Sequence, residues 1–111
     1  MTTRVHAFTD DALGEHDAVA LAALVRGGEV SADELAQAAV ARARVVDPTL
    51  HAVTTPWFDA PRLAGGPKAA LYGVPTFVKD NTDVAGMPTG HGSEAFVAKP
   101  AKTDGAYARQ Y

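Results

Sequence analysis

The most informative stretch of this sequence is residues 71–93, LYGVPTFVKDNTDVAGMPTGHGS. Its first part, Leu71–Val78, is mainly apolar and predicts a buried strand. Three polar residues, Lys79 to Asn81, follow at once, and the remainder is rich in Gly, Pro and Thr, which is typical of a loop. The pattern therefore predicts a strand that delivers a lysine to the edge of a loop.

Lys79 is the candidate catalytic residue of this stretch. A lysine at the exit of a buried strand is unusual, because burying an ammonium is costly. Where such a lysine is shielded from water, the uncharged amine is favoured and can act as a base that activates a serine hydroxyl. The alternative is a strand-end lysine whose head group reaches water. Periodicity alone favours that alternative, because lysine is rarely fully buried.

Upstream of this stretch, the sequence predicts a helical lead over residues 16–46. A first helix over residues 16–26 has its leucines and a valine at helical spacing. Gly27 and Gly28 are expected to end it, because glycine tolerates the left-handed conformation that often follows a helix.

The second predicted helix begins at Ser31, which can form a capping box with Glu34. We expect it to end near Val46, because the residue before a proline avoids the helical region and Asp47–Pro48 comes next.

The rest of the chain alternates between short regular segments and loops. Residues 51–55 are β-branched and predict a strand, whereas residues 56–67 contain several prolines and glycines and predict a surface loop. Residues 103–111 are typical of the first turns of another helix.

The composition is that of an ordinary globular protein. Of the 111 residues, 47% are apolar and 21% are charged, and the formal net charge is -3. Neither wholesale disorder nor a basic surface for nucleic acid is expected from these values. The absence of cysteine excludes disulfides and thiolate ligands.

No segment of the sequence predicts export or membrane insertion. The start of the chain lacks an apolar run of signal-peptide length. The longest mainly apolar stretch, Ala18–Val25, is far shorter than the roughly 20 residues that a membrane span requires. We therefore expect a soluble, cytoplasmic protein that does not associate with a membrane.

Other polar residues have simpler interpretations than catalysis. Ser31 is interpreted as a helix cap and Ser93 as a residue that stabilises its loop. His91 could donate to a substrate, but a solvated loop histidine is the more common case. Asp80 and Asp83 could pair as acid and base, although Asp83 is typical of turn chemistry. The histidines lack metal-ligand spacing, so no metal or other cofactor is expected.

Residues 71–93 resemble the amidase signature family in two blocks that occur in the family's order. The first block is Leu-x-Gly-Ile/Val-Pro-x-x-x-Lys-Asp-Asn, here Leu71–Asn81, and the second is Gly-x-Pro-Thr-x-x-Gly-Ser, here Gly86–Ser93. The helical half is also similar to the family, which commonly has a Gly-Glu-x-Ser connection and, after the second helix, an Asn/Asp-Pro-x-Leu-x-Ala turn. Here these are residues 28–31 and 47–52. We refer to residues 71–93 as the signature segment.

The resemblance implies an α/β fold with a large mixed sheet covered by helices. This chain would supply two leading helices, some strands and the start of a further helix. The resemblance also implies a Ser-cisSer-Lys triad in which Lys79 is the base, with no cofactor. The implied substrate is a small-molecule carboxamide, which is converted through an acyl-enzyme to a carboxylic acid and ammonia or an amine. Gly90–His91 departs from the Thr–small pair that is more usual in the family.

The family's glycine- and serine-rich block, which provides the nucleophile and the oxyanion-binding amides, does not occur in this sequence. We therefore expect residues 1–111 to be a single partial domain, the N-terminal segment of an amidase domain. It carries Lys79 but not the nucleophilic serine, and we expect it to be inactive alone. Because covering elements are missing, it is also expected to expose apolar surface and strand edges.

Two alternatives remain open. The chain could be a non-catalytic, truncated interaction module, although the open helix at Ala106–Tyr111 favours a fragment. It could also belong to the A subunit of a tRNA-dependent amidotransferase, which requires partner subunits, although the Pro88–Ser93 ending is more similar to free-standing amidases. The resemblance specifies neither the natural substrate nor the oligomeric state.

Overall fold

The computed structural model describes residues 4–111. These residues form three helices: α1, Ala18–Arg26; α2, Ala32–Leu50; and α3, Ala106–Gln110. The chain divides into two compact units. The first unit extends to Val53 and adds Trp57–Pro75, and the second combines Thr54–Pro56 with Thr76–Tyr111.

Helix α1 confirms the first predicted helix, with a start two residues later than expected. Asp17 precedes it in an extended conformation, and its carboxylate accepts a hydrogen bond from the amide of Ala20. An aspartate in this position caps the helix, since it satisfies an amide that has no partner within the helix. The helix ends at Arg26, and Gly28 then adopts the left-handed conformation with φ 72°.

Helix α2 confirms the predicted capping box but not the predicted end. The Ser31 hydroxyl accepts from the Glu34 amide at 3.0 Å, and the Glu34 carboxylate accepts from the Ser31 amide at 2.8 Å. The backbone amide of Ser31, followed by its hydroxyl, lowers the pKa of Glu34. The hydroxyl of Ser31 is therefore a helix cap, as the sequence indicated.

The expectation that α2 ends near Val46 was wrong, because the helix continues through Pro48 to Leu50. It ends at His51, which is left-handed (φ 51°) and donates its amide to the Asp47 carbonyl at 2.7 Å. The Asp47 carboxylate then accepts from the next two backbone amides, those of Ala52 and Val53. These bonds at the helix end offset the local preference against a helical residue before proline.

The buried side chains of the first unit lie on α1 and α2. They are mostly small, and Leu35 is the largest that is fully buried. The buried set is Leu21, Ala22, Leu35, Ala38, Val40 and Ala43. Gly73 lies against the end of one helix and the start of the other: a Cβ added to it would be 3.1 Å from Ala32 Cβ and 3.2 Å from Val25 Cγ1.

An ion pair that sequence patterns did not predict joins Arg42 to Asp11. The Arg42 guanidinium donates to both carboxylate oxygens of Asp11, at 2.7 and 2.6 Å, and also to the carbonyl of Gly14. The side chains of Arg42 and Asp11 are 23% and 12% exposed. The hydrogen bond from Arg42 is the main reason that the pKa of Asp11 lies below its ordinary value.

We expect Arg42→Met to lower the free energy of unfolding by about 1–2 kcal/mol, between the values typical of exposed and buried pairs. Denaturant unfolding of both proteins at pH 7 measures this difference in the free energy of unfolding. Because the pKa of Asp11 is depressed in the folded state, the pair's contribution is complete above about pH 4, the unfolded pKa. It is lost as the pH falls through the folded pKa, so the difference from the parent protein should shrink in acid.

Arg44→Met is the matched control for this prediction. Arg44 pairs with Asp59 at 3.5 Å, but its side chain is 59% exposed and that of Asp59 is fully exposed. Such a pair contributes about 0–1 kcal/mol. Equal losses in the Arg42 and Arg44 variants would contradict the prediction.

The strands predicted for residues 51–55 and Leu71–Val78 were wrong, since neither segment is a strand in the structure. Leu71–Gly73 forms turns instead, in which the Leu71 carbonyl accepts from Val74 and Gly73 has φ 83°. A strand forms only where a neighbouring strand satisfies its amides and carbonyls, so an apolar, β-branched run is not sufficient.

The second unit contains α3 and long connecting segments. Across residues 4–111, extended pairing is limited to two isolated bridges, a parallel one between Ala85 and Ala101 and an antiparallel one between Pro88 and Pro100. The α/β fold implied by the resemblance is therefore not visible as a sheet in the described residues. The apolar exposure expected from the sequence is present, for example at Val97, which is 89% exposed.

Helices in the described part of the chain are either too short or too polar to cross a membrane.

Candidate active site

Lys79 lies at the start of a tight turn in the second unit. Its carbonyl accepts hydrogen bonds from the amides of Asn81 at 2.8 Å and Thr82 at 3.2 Å. The two residues before it, Phe77 and Val78, are 64% and 41% exposed, and Lys79 itself is exposed. The structure thus corrects the prediction of a buried strand before the lysine and agrees with the alternative in which the head group reaches water.

The Lys79 side chain makes no hydrogen bond or ion pair with any other residue among 4–111. It can therefore rotate about its four side-chain bonds. What this unit controls is the position and direction of the Lys79 backbone, from which the amine extends.

Asp80 links the two signature blocks. Its carboxylate Oδ1 accepts from the Gly90 amide at 2.7 Å, and its own carbonyl accepts from the next amide, that of His91, at 2.9 Å. One residue of the first block thereby holds two consecutive amides of the second. The Asp80 carboxylate therefore serves as a hydrogen-bond acceptor for backbone.

Asp83 has the structural role that its sequence context indicated. Its carboxylate accepts from the Thr89 hydroxyl at 2.7 Å, and its carbonyl accepts from the Gly105 amide at 2.9 Å. Asp104 acts in a similar way, accepting from the Ala85 amide at 2.8 Å. The loop after Lys79 is therefore tied to the chain immediately before α3.

The two serines of the sequence are both occupied by local hydrogen bonds. Ser31 caps α2, and the Ser93 hydroxyl accepts from the Ala95 amide at 3.1 Å, which agrees with its interpretation as a loop-stabilising residue. His91 is exposed and left-handed, with φ 53°, and its ring centre lies 6.4 Å from that of Phe96.

An open cavity of about 360 Å³ lies beside this loop within the second unit. Asp83, Thr89, His91 and Phe96 contribute to its walls, and Lys79 does not. Within the described residues, no three His, Asp or Glu side chains are placed to hold a metal ion.

Sequence patterns identified Lys79, Asp80 and Asp83 as residues of interest but missed what the two carboxylates bind. The Asp80–Gly90 bond spans ten residues, and Asp83 bonds a hydroxyl six residues away. No short sequence motif predicts such contacts. The only available signal was that both aspartates flank the loop that follows Lys79.

Comparison with known proteins places this arrangement in a family. The family model Amidase matches residues 34–111, a range that contains both signature blocks and Lys79. The protein named "Putative amidase AmiC" from Mycobacterium tuberculosis (strain ATCC 25618 / H37Rv) is 48% identical over 111 residues, which is 96% of this chain and 24% of that protein.

Two relatives with more specific names also match. The 6-aminohexanoate-cyclic-dimer hydrolase of Pseudomonas sp. (strain NK87) is 45% identical over 73 residues, 62% of this chain and 14% of that protein. The indoleacetamide hydrolase of Bradyrhizobium diazoefficiens is 36% identical over 88 residues, 70% of this chain and 17% of that protein. The chain thus spans about a quarter or less of the length of these relatives.

No solved structure matches the chain significantly. The family match covers most of the sequence, and the Mycobacterium tuberculosis relative is 48% identical over 96% of it. The chain therefore belongs to the amidase signature family.

Proposed function

We propose that this chain is part of an enzyme that hydrolyses a small-molecule carboxamide to a carboxylic acid and ammonia or an amine, with Lys79 as the base of a Ser-cisSer-Lys triad. The observation that carries the proposal is the family match over residues 34–111, which includes Lys79 within the first signature block. The names of the relatives, an indoleacetamide hydrolase among them, favour amide hydrolysis over a non-catalytic interaction module.

The proposed reaction needs a serine that residues 1–111 do not provide. Ser31 caps α2 and Ser93 bonds within its own loop, so both hydroxyls have structural roles. We infer that both triad serines come from polypeptide outside these residues. The same polypeptide would cover the exposed Lys79 and exclude water from it, because an amine acts as a base only when uncharged.

The proposed reaction has two chemical stages, acylation of the nucleophilic serine and hydrolysis of the acyl-enzyme. The Lys79 amine accepts a proton that the bridging serine relays from the nucleophilic serine, whose oxygen attacks the amide carbonyl. The proton then goes to the nitrogen of the leaving group as the C–N bond breaks, which leaves an acyl-enzyme. Water, deprotonated through the same relay, attacks the ester and releases the carboxylic acid and the free serine.

The test is to supply the full-length protein with a panel of simple aliphatic and aromatic carboxamides and to measure ammonia release. Added hydroxylamine should divert the acyl-enzyme to a hydroxamate, which separates acyl transfer to a serine from direct attack by water. Residues 1–111 alone are the matched control and are expected to release no ammonia. Absence of both ammonia and hydroxamate with the full-length protein across the panel would refute the proposal, and ammonia release by residues 1–111 alone would refute the need for outside serines.

A further inference from the structure

We propose that Asp80 is a positioning residue for Lys79: it fixes the lysine's backbone by holding the second signature block against the first. This inference rests on the proposed function, in which Lys79 is the base. In this role Asp80 affects catalysis through Lys79 and makes no contact with substrate.

Asp80 holds two consecutive residues of the second signature block. Its carboxylate and its carbonyl hold the consecutive amides of Gly90 and His91, at 2.7 and 2.9 Å. Two attachments on consecutive amides fix both the distance and the orientation between two segments, which one bond would not do. A hydrogen bond to an ionised carboxylate is also stronger than one between neutral groups.

Lys79 is itself held through its backbone. Its carbonyl is held by the amides of Asn81 and Thr82, and the very next residue is Asp80. The backbone on the C-terminal side of Lys79 is therefore bonded at each position, whereas the preceding residues, Phe77 and Val78, are exposed. The direction in which the lysine side chain leaves the loop is thus set from the Asp80 side.

Gly90 has little space for a side chain. A Cβ added there would lie 3.0 Å from Asp80 Oδ2, closer than most real Cβ contacts, so the carboxylate would have to shift. Gly90 is not among the residues with positive φ, so its conformation does not demand glycine. The feature that favours glycine at position 90 is therefore the close approach of the Asp80 carboxylate.

The experiment compares variants of the full-length protein by steady-state kinetics on an amide that the parent hydrolyses. The turnover number kcat is expressed per site that becomes acylated in the initial burst, so that misfolded molecules do not count. We expect Asp80→Ala to lower kcat about 10- to 100-fold, because small misplacements of a catalytic group have effects of this size. KM should change by less than about twofold, since Asp80 does not touch substrate.

Two further variants separate positioning from charge and from the general effect of losing a carboxylate-to-amide bond. Asp80→Asn keeps an oxygen acceptor for the Gly90 amide and should restore most of kcat. Asp17→Ala is the matched control: it removes a carboxylate-to-amide bond of similar length, from the Ala20 amide at the start of α1 in the first unit. We expect it to leave kcat per site within about threefold of the parent, because it does not bear on the lysine's backbone.

Gly90→Ala perturbs the Asp80–Gly90 contact without changing Asp80. This variant keeps the test informative if Asp80→Ala does not fold. It should lower kcat in the parent background, because the added methyl displaces the carboxylate. In the Asp80→Ala background it should have little further effect, as expected for coupled neighbours.

The outcomes are distinguishable. A selective loss of kcat in Asp80→Ala and Gly90→Ala, with recovery in Asp80→Asn, supports the inference. Parent-like kcat per acylated site in Asp80→Ala overturns it and leaves the proposed function intact, as do equal losses in Asp80→Ala and Asp17→Ala. A parent protein that hydrolyses no amide overturns the proposed function itself.

Discussion

Replacement of Lys79 by methionine in the full-length protein is expected to lower kcat/KM for amide hydrolysis by about 10³-fold or more, the size of loss seen when a member of a catalytic triad is removed. Methionine keeps much of the side chain's length but cannot accept a proton. Because the Lys79 side chain has no hydrogen-bonding partner among the described residues, the change should leave the fold of this unit intact.

Lys68→Met is the control for this result, since Lys68 is also an exposed lysine but lies outside the signature segment. Its kcat/KM should match that of the parent. Both variants should show parent-like far-ultraviolet circular dichroism. An active Lys79→Met variant would remove the lysine from the proposed mechanism and would leave the family assignment untouched.

The second large effect is expected at Gly73, a glycine of the first signature block. We expect Gly73→Ala to lower the free energy of unfolding by about 2–4 kcal/mol. About 1–2 kcal/mol of this comes from placing a side chain at φ 83°. The remainder comes from crowding, because the new Cβ would lie within 3.1–3.3 Å of Ala32 and Val25. Denaturant unfolding measures the loss.

Gly28→Ala isolates the backbone part of this effect. Gly28 has a similar φ of 72°, but a Cβ added to it would meet nothing within 4 Å. It should therefore show the strain of about 1–2 kcal/mol without the crowding. If the Gly73 and Gly28 variants lose the same stability, the close approach of Gly73 to Val25 and Ala32 contributes nothing.

Features that depend on residues close together in the chain could be predicted. The Ser31–Glu34 capping box involves two residues three positions apart, so the pattern of residue types was enough to predict both hydrogen bonds. Asp47–Pro48 shows the limit of the same reasoning. The local preference predicted an end to the helix, but hydrogen bonds that the amides of residues 51–53 donate to Asp47 allow one more turn.

The candidate site likewise has features that the sequence predicted and features that it did not. Lys79 and its two blocks were recognisable from residue types and spacing, and the family match includes them. The exposure of Lys79 and the contacts of Asp80 could not be predicted from the sequence. Each depends on which distant residues fill the space around these two side chains. The predicted strand at residues 71–78 failed for a related reason: its partner would have to be supplied by another part of the chain.

The sequence by itself determined the family, the Ser31–Glu34 capping box and the choice of Lys79 as the candidate base, since each depends on residue types at short, fixed spacing. The tertiary structure alone decided that Asp11 pairs with Arg42, that Gly73 is crowded by two helices, and that Asp80 holds Gly90 and His91. These contacts join residues from ten to nearly fifty positions apart. Their formation depends on how the intervening chain folds, and a local pattern of residue types does not carry that information.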